Sequence, residues 1–438
     1  MSKLLAAILA TYLLLALAYV ALIPAWEAPD EPAHFLYVQA LLETGDPPAP
    51  PPPQRDSFRK SGYVTSNYEW HQPPLFYWLA ATGLRLGQAL GLPTAFTGFP
   101  SINPAFPGAV RLFAGDAIPP VTLYLVRGLS ALFGLLTVYS AYWLARRLAL
   151  GVALLPELAA GLVAFVPQFT FLSAYVTNDS LAILAGSAGL AALVTVVTAS
   201  PAHQRRAWLV AGSFTSVGLT TKMTAWYLAP LGLVLLGVEW LTGRRTLRAS
   251  VADLAAFLGS AAVLPLLIWL RWPDIAVRLG ASPQTRGINR AALSLTYLVE
   301  LFPLTRSSFW GRFGWMNAPI PEWVVVTFEA IWLTGLGAFV VFWLRRRIVL
   351  AAARRHALFV VLAAFLLGFG LFLGFNLAVR QPQGRFLYTG LAGVAAIVAW
   401  GWVVLAARWR SVVVAVLLTA MALLNAASLG LVRTGVYG

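Results

Sequence analysis

The residues with the clearest potential for chemistry form an acidic stretch, Trp26–His34, directly after the first hydrophobic segment of the chain. The stretch holds the adjacent pair Asp30 and Glu31, bracketed by Pro29 and Pro32, which restrict its backbone. An acidic pair held at a membrane surface can act as a general base toward a hydroxyl group or bind a divalent cation. The alternative interpretation is structural, with Asp30 capping a helix and Glu31 in its first turn.

A second polar cluster occupies 69–72, immediately before two prolines and an apolar segment. It combines a carboxylate, aromatic rings and an amide in Glu69, Trp70, His71 and Gln72. These groups together suit a subsite for a sugar or a phosphate. The alternative is an aromatic belt at the membrane interface.

Two polar turns follow at the ends of apolar segments. Asp179, after Thr177 and Asn178, either caps the next helix or lines a cavity. Lys222 lies in a very short turn on the predicted outer side, against the usual trend for positive charge. Its ammonium group either pairs with a lipid phosphate or simply extends to water.

Two later segments combine arginine with aromatic and hydroxyl side chains. The first, 306–315, contains Trp310 and Arg312 and suits a phosphate next to a sugar or isoprenoid face. The second, 380–388, places Arg385 at the start of a predicted helix, where N–H groups and guanidinium donors can bind an anion. For both segments the alternative is anchoring to lipid headgroups.

Long apolar segments must position these clusters. The chain of 438 residues is 59% hydrophobic and only 11% charged, which is typical of an all-α polytopic membrane protein and not of a soluble domain. The first run is too long for a signal-peptide core, so we interpret it as an uncleaved anchor helix. We predict about 11 transmembrane helices, within a range of roughly 10 to 12, at 4–24, 121–145, 153–173, 179–199, 207–221, 224–241, 250–271, 323–344, 357–378, 386–407 and 411–431.

The distribution of lysine and arginine near helix ends predicts a cytoplasmic N-terminus. Two long loops, 25–120 and 272–322, then face the outside together. In the first loop, the residue pattern predicts surface helices at 31–42 and 75–90, of the kind that lie along a membrane. A proline-rich spacer at 47–53 separates the two helices.

Charge and composition exclude several functions. The net charge of +15 comes from basic residues scattered through short loops, so we expect membrane lipids and phosphate-bearing substrates as partners, and no nucleic acid. The absence of cysteine excludes disulfides, thiolate metal sites and a cysteine nucleophile. The phosphate-binding loop of ATPases, the HExxH zinc motif and the GxSxG elbow are also absent. We treat 1–438 as one integral membrane domain.

Several segments, taken in order, resemble the GT-C superfamily of integral membrane glycosyltransferases, and within it a broad bacterial family of predicted membrane proteins. The likeness includes the acidic pair after the first helix, the surface helices of the first outer loop and a helix that opens near Arg127. It covers nearly the whole chain. The matching segments are Asp30–Phe35, His71–Leu75, Asn178–Asp179, Leu219–Lys222, Phe309–Trp315 and Gln383–Leu387.

The resemblance implies transfer of a sugar from a polyprenyl-phosphate-linked donor to a glycan, lipid or cell-envelope acceptor. It places the reaction on the outer face of the bacterial inner (plasma) membrane, usually with inversion at the anomeric carbon. In relatives an aspartate of the first-loop motif is the base. Asp30 occupies that position, with Glu31 assisting or binding a divalent cation such as Mg²⁺ or Mn²⁺.

The resemblance and the residue types together nominate further site residues. We expect the donor phosphate to bind Arg385, Lys222 and Arg312, in that order of preference. We expect contacts with the sugar or the acceptor from His34, Glu69, His71, Gln72, Asp179, Trp310, Gln383 and Tyr388.

Other functions are kept as alternatives. A lipid-sugar transporter or flippase predicts broken helices at the membrane midplane and internal repeats, and the sequence shows no convincing repeat. The others are a glycan polymerase or ligase with a diphosphate-linked donor, and an assembly subunit. Geometry tests the transferase hypothesis, because Asp30 should lie well within ~15 Å of at least one nominated cation.

Overall fold

The structure is a computed structural model, which describes residues 2–51, 64–93, 96, 98–106, 111–114, 120–148, 151–282, 294–345 and 351–432. The described residues form sixteen α-helices, three 3-10 segments and one short β-hairpin, so the predicted all-α fold is confirmed. The helices are α1 (Lys3–Leu22), α2 (Glu31–Thr44), α3 (Leu75–Ala89), α4 (Val121–Leu148), α5 (Leu155–Ala164), α6 (Pro167–Leu172), α7 (Asp179–Thr198), α8 (Pro201–Leu219), α9 (Leu228–Leu241), α10 (Leu247–Arg271), α11 (Ile275–Gly280), α12 (Leu295–Trp310), α13 (Glu322–Leu344), α14 (Ala352–Ala378), α15 (Leu391–Ala406) and α16 (Arg410–Val432).

Eight segments of the described residues are long and apolar enough to cross a membrane. The chain is therefore a multi-pass membrane protein, but the predicted number of 11 spans is not confirmed. One of the eight segments contains both α15 and α16, between which Ala407 adopts a left-handed backbone with φ 46°. The predicted run 153–173 is divided into α5 and α6, because Val166 is extended and Pro167 begins a new helix. Neither piece alone is long enough to span.

Helix α7 is the centre of the helical bundle. All of its residues from Asp179 to Val197 are buried. A helix that is apolar nearly all round must be surrounded by other elements, and α7 packs against α4, α8 and α14. Asp179 therefore lies at one end of the packed core and does not face lipid.

The structure has helices, α2 and α3, at the two places where the sequence predicts helices in the first long loop. Helix α2 ends at Gly45, whose φ of 79° is typical of a glycine that terminates a helix. The two helices pack through the stacked rings of Tyr37 and Tyr77, with centroids 3.9 Å apart. The end of the predicted proline-rich spacer and the charged residues Asp56, Lys60 and Asp116 lie outside the described residues.

The second long loop contains more regular structure than the sequence predicts. It holds α11, α12 and a hairpin in which β1 (Arg312–Phe313) pairs with β2 (Ala318–Pro319) in antiparallel fashion. Gly314 and Met316 turn the chain between the strands with φ values of 59° and 65°. Strands of two residues are too short to produce the alternating pattern from which strands are predicted.

Two glycines allow α13 and α15 to cross at short distance. A Cβ atom on Gly401 would lie 1.7 Å from the carbonyl oxygen of Gly335. A Cβ atom on Gly335 would lie 2.6 Å from the carbonyl oxygen of Val398. Small residues at such crossings let the backbones of membrane helices approach closely. The packing of α13 on α15 therefore depends on glycine, which has no side chain, at both positions.

Replacing Gly335 with alanine is expected to lower the free energy of unfolding by about 1–3 kcal/mol, because the added methyl group forces the helices apart. Gly337→Ala is the matched control, since it lies in the same helix with no atom within 4 Å of the added Cβ. We expect the control to be neutral or slightly stabilising, because alanine favours a helix. Thermal unfolding in detergent measures both variants, and equal changes in Tm would contradict this explanation.

Candidate active site

Asp30 lies in the turn between α1 and α2 with its carboxylate directed away from the helix. Its φ of 63° is in the left-handed region, which aspartate tolerates better than most residues. Its side chain makes no capping hydrogen bond to α2, so the capping alternative does not account for it. Instead, Oδ1 accepts a hydrogen bond of 2.8 Å from the Tyr68 hydroxyl, and Oδ2 accepts one of 3.1 Å from Arg385.

Arg385 connects Asp30 to the core of the bundle. It lies in the 3-10 segment Gly384–Gly390 and is 4% exposed, against 25% for Asp30. Besides Asp30, its guanidinium donates a hydrogen bond of 2.5 Å to the Tyr175 hydroxyl and lies 3.8 Å from a carboxylate oxygen of Asp179. Arg385 therefore links two carboxylates that are far apart in sequence.

Asp179 and Lys222 form the other half of this cluster. Nζ of Lys222 lies 2.7 Å from Oδ1 of Asp179, and the lysine side chain is 11% exposed. Lys222 therefore forms an ion pair within the protein. The alternative that its ammonium group simply extends to water does not account for this contact. The four side chains Asp30, Asp179, Lys222 and Arg385 carry two negative and two positive charges, and we call them the charged cluster.

A layer of polar groups from the first loop lies beside the charged cluster. Gln72 donates a hydrogen bond of 2.8 Å to Glu69 and accepts one of 3.2 Å from Asn178, next to Asp179. His34 pairs with the Tyr77 hydroxyl at 2.7 Å. His71 contacts the Tyr68 carbonyl oxygen at 3.1 Å.

Burial shifts the pKa values of two groups in this layer. Burial lowers the pKa of His34, while the nearby carboxylate of Glu69 opposes that effect. Burial also raises the pKa of Glu69, and the charge of His34 opposes it. His34 is therefore favoured in its neutral form, which can both donate and accept a hydrogen bond.

Glu31 faces away from Asp30 although the two are adjacent in sequence. Both of its carboxylate oxygens bind Arg127, at 2.8 and 2.6 Å, and both partners are almost completely buried. The same oxygens accept hydrogen bonds from the backbone N–H groups of Trp26 and Val176. The guanidinium of Arg127 also binds three carbonyl oxygens at the end of α1 and the start of the next turn, those of Val20, Ile23 and Pro24.

The two carboxylates that the sequence suggests for a divalent cation, Asp30 and Glu31, each have an arginine partner in the structure. Asp30 accepts a hydrogen bond from Arg385, and both carboxylate oxygens of Glu31 accept hydrogen bonds from Arg127 and from backbone N–H groups. Among the described residues, no group of three or more histidine, aspartate or glutamate side chains is close enough to hold a metal ion. The cation suggested by the sequence stays a prediction, and no step below depends on it.

Several predicted site residues lie away from the charged cluster. Trp310 stacks on Phe328, with ring centroids 5.7 Å apart, and contacts Trp332 in the apolar core. The buried hydroxyl of Tyr388 donates to the carbonyl oxygen of Phe309. The structure thus places both rings in the packing between α12, α13 and the segment before α15.

Arg312 and Gln383 make no described side-chain hydrogen bond to the charged cluster. The guanidinium of Arg312 donates to the hydroxyl of Ser307 at 3.3 Å and to the carbonyl oxygen of Met316, both within its own loop. Burial lowers the pKa of Arg312. The side-chain oxygen of Gln383 is buried and has no hydrogen-bond partner among the described residues.

Sequence reasoning missed three residues that hold this arrangement. Tyr68 and Tyr175 orient Asp30 and Arg385 through their hydroxyl groups. Tyr68 is in a polar stretch and Tyr175 in an apolar one, and neither context distinguishes them from ordinary tyrosines. Arg127 carried a usable signal, since an arginine within an apolar run requires a partner.

Comparison with known proteins agrees with this architecture. The model of the dolichyl-phosphate-mannose-protein mannosyltransferase family matches residues 117–269. No curated protein matches the chain. The crystal structure of ArnT from Cupriavidus metallidurans bound to undecaprenyl phosphate is similar with a TM-score of 0.54 and 17% identity, over 98% of this chain and 77% of that chain.

Two further solved structures are similar over most of this chain. ArnT from the same organism in the apo state gives a TM-score of 0.51 and 16% identity, over 90% of this chain and 59% of that chain. The oligosaccharyltransferase of Archaeoglobus fulgidus in complex with Zn and sulfate gives 0.54 and 15% identity, over 96% and 53%. This chain therefore spans little more than half the length of these two proteins. The predicted GT-C fold is confirmed, and the prediction of a GT-C-type glycosyltransferase agrees with the family match.

Proposed function

We propose that this chain, which has the fold of the GT-C membrane glycosyltransferases, transfers a sugar from a polyprenyl-phosphate-linked donor to a hydroxyl group of a glycan, lipid or cell-envelope acceptor. The observation that carries the proposal is the charged cluster, in which a partly exposed aspartate lies 3.1 Å from a buried arginine. An exposed base beside fixed cations suits a reaction that removes a proton and releases a phosphate. The similar ArnT structure, bound to undecaprenyl phosphate, supports a lipid phosphate as carrier.

In the proposed reaction the acceptor oxygen attacks the anomeric carbon of the donor sugar. Asp30 accepts the proton of the acceptor hydroxyl, so that the new glycosidic bond forms without a charged intermediate oxygen. The bond between the anomeric carbon and the phosphate oxygen breaks, and polyprenyl phosphate leaves with the bonding electrons. A single displacement of this kind inverts the anomeric carbon.

The cations of the cluster stabilise the departing phosphate in this proposal. Charge that develops on a leaving oxygen is best stabilised by groups already fixed in place. Arg385 is held by Asp30, Tyr175 and Asp179, and Lys222 by Asp179. Arg312 is not assigned to this step, because the described hydrogen bonds of its guanidinium are within its own loop.

The neighbouring polar layer is assigned to recognition of the sugar or the acceptor. His34, Glu69, His71 and Gln72 offer both donors and acceptors at the edge of the cluster. Glu31 is assigned a positioning role, because its carboxylate fixes the turn on which Asp30 stands. As the loop topology predicts, the reaction takes place at the outer face of the membrane.

The proposal is tested with the purified full chain in detergent, radiolabelled polyprenyl-phosphate sugars and extracted envelope glycans and lipids as acceptors. We expect release of free polyprenyl phosphate together with label in the acceptor fraction. A transporter or flippase would leave the donor intact. Release only from diphosphate-linked donors would instead establish the polymerase or ligase alternative.

Replacing Lys222 with methionine is expected to lower kcat/KM for the donor by about 10- to 100-fold, the value of one charge-assisted hydrogen bond of about 1.5–3 kcal/mol. The physical reason is the loss of one of two cations that face the leaving phosphate. Initial rates of polyprenyl phosphate release measure the effect. Arg380→Gln is the control, because Arg380 is half exposed and pairs with Glu300 at the surface.

Lys222→Met also leaves the buried Asp179 without its nearest cation, so its effect on stability must be separated from its effect on rate. The double variant Lys222→Met with Asp179→Asn removes one charge of each sign. We expect it to recover the Tm of the wild type without recovering its rate. Recovery of both would assign Lys222 a structural role only.

A further inference from the structure

A cavity of about 570 Å³ lies at the end of the bundle opposite the charged cluster. The last turns of α4 and α7 and the first turns of α8 form its walls. Its polar lining includes Arg147, Arg206, His203, Ser200, Thr195 and Thr198. Its volume is in the range of sites that bind small molecules or lipid headgroups.

The charge of this cavity is positive and uncompensated. Neither Arg147 nor Arg206 forms an ion pair or a side-chain hydrogen bond with any described residue, and no lining residue is acidic. Arg147 is half-buried and Arg206 is exposed, whereas the fully buried Arg127 has a carboxylate partner. Two unpaired guanidinium groups on one cavity therefore favour an anionic ligand, since guanidinium matches the geometry of phosphate oxygens.

The polar lining of the cavity also includes a serine–histidine pair. The hydroxyl of Ser200, which precedes α8, pairs with Nδ1 of His203 at 2.9 Å and makes no capping bond to the helix. The N-terminus of α8, a helix of 19 residues, lies at this cavity and adds positive potential there.

The position of the cavity separates it from the proposed reaction. Helix α7 begins at Asp179 and ends at Thr198, so its 20 residues place the two sites roughly 30 Å apart along its axis. That distance is the thickness of the apolar part of a bilayer. Trp143, Ala207 and Val210 form the apolar part of the lining, as suits a site at a membrane interface.

We propose that this cavity binds a phosphate-bearing anion, held by Arg147 and Arg206 on the side of the membrane opposite the charged cluster. The anion could come from two sources, the headgroup of an anionic phospholipid or free phosphate. Both carry a phosphate group with at least one negative charge. Basic pockets between membrane helices on the cytoplasmic side are typical sites for anionic headgroups. The apolar wall around Trp143 favours the lipid source.

The test uses the purified full chain in detergent, titrated with phosphatidylglycerol, with phosphatidylcholine as the neutral-lipid control and with inorganic phosphate. Native mass spectrometry counts bound lipid, and the shift in Tm reports phosphate. We expect one phosphatidylglycerol to bind, and we expect Arg147→Gln with Arg206→Gln to weaken it by at least about tenfold. Binding of inorganic phosphate alone, lost in the same variant, would keep the site and identify free phosphate as its ligand.

The matched control is Arg146→Gln with Arg205→Gln. These arginines are the sequence neighbours of the first pair, lie on the same two helices and are exposed outside the cavity lining. We expect less than a threefold change from this equal loss of charge. An equal loss of binding in both double variants, or no loss in either, would overturn the proposal. Arg206→Gln alone, at an exposed position, tests the same point if the first double variant fails to fold.

Discussion

Replacing Asp30 with asparagine is expected to lower the rate of sugar transfer by about 100-fold or more while the protein remains folded. General-base catalysis by a positioned side chain contributes about 10²- to 10⁴-fold, and an amide cannot accept the proton. Asparagine has the same shape and tolerates the left-handed backbone at this position. Its single carbonyl oxygen can still accept the bond from Arg385, while its NH2 group can donate to the hydroxyl of Tyr68. Single-turnover release of polyprenyl phosphate measures the loss.

Asp46→Asn is the control for this prediction. Asp46 is also an acid of the first outer loop, but its side chain is 59% exposed and pairs with Arg271 at the surface. We expect its rate to stay within about twofold of the wild type, the scale of a weak surface pair. If Asp30→Asn kept more than half the wild-type rate, Asp30 would not be the base. The proposed sugar transfer would still stand, because the wild type and the variant would both release polyprenyl phosphate.

Breaking the buried pair between Arg127 and Glu31 is expected to have the largest effect on stability. Arg127→Met should lower the free energy of unfolding by about 3–5 kcal/mol, because it leaves the carboxylate of Glu31 buried without a counter-charge. Three carbonyl oxygens at the end of α1 also lose their donor. Chemical unfolding in detergent, followed by tryptophan fluorescence, measures the change.

A double-mutant cycle separates the pair from its surroundings. Arg127→Met with Glu31→Gln removes both charges, so it should cost less than the sum of the two single changes. Arg380→Gln is the surface control. It breaks a pair of similar length whose partners are both at least half exposed, and should cost no more than about 1 kcal/mol. An Arg127→Met effect as small as that of the control would show that the buried pair contributes little.

Local patterns were enough to predict the elements that carry Asp30. Gly45 marks the end of α2, and an apolar run after two prolines indicates α3. Both signals act within a few residues, so they can be read from the sequence alone. At Trp310, an aromatic segment with flanking arginines suggested a binding surface, and no local pattern indicated that the ring is buried. Its ring is instead in the core, which depends on Phe328 and Trp332 of another helix.

The different roles of Asp30 and Glu31 could not be predicted from the sequence, because they depend on pairings with distant residues. Asp30 and Glu31 are equivalent by local chemistry, and the choice between them is made by Arg127, 96 residues later, and Arg385, 355 residues later. No periodicity specifies such partners. The resemblance to GT-C proteins favoured Asp30, while only the packed structure shows why Glu31 is engaged elsewhere.

The ion pair between Arg385 and Asp30 gives the proposed reaction an internal order in time. While Asp30 is ionised, it shares the guanidinium and weakens the attraction of Arg385 for any other anion. Once Asp30 holds the proton of the acceptor, that competition ends and the positive charge of Arg385 becomes fully available. The cation is thus released at the moment when the departing phosphate gains its negative charge, and futile donor cleavage without an acceptor is disfavoured.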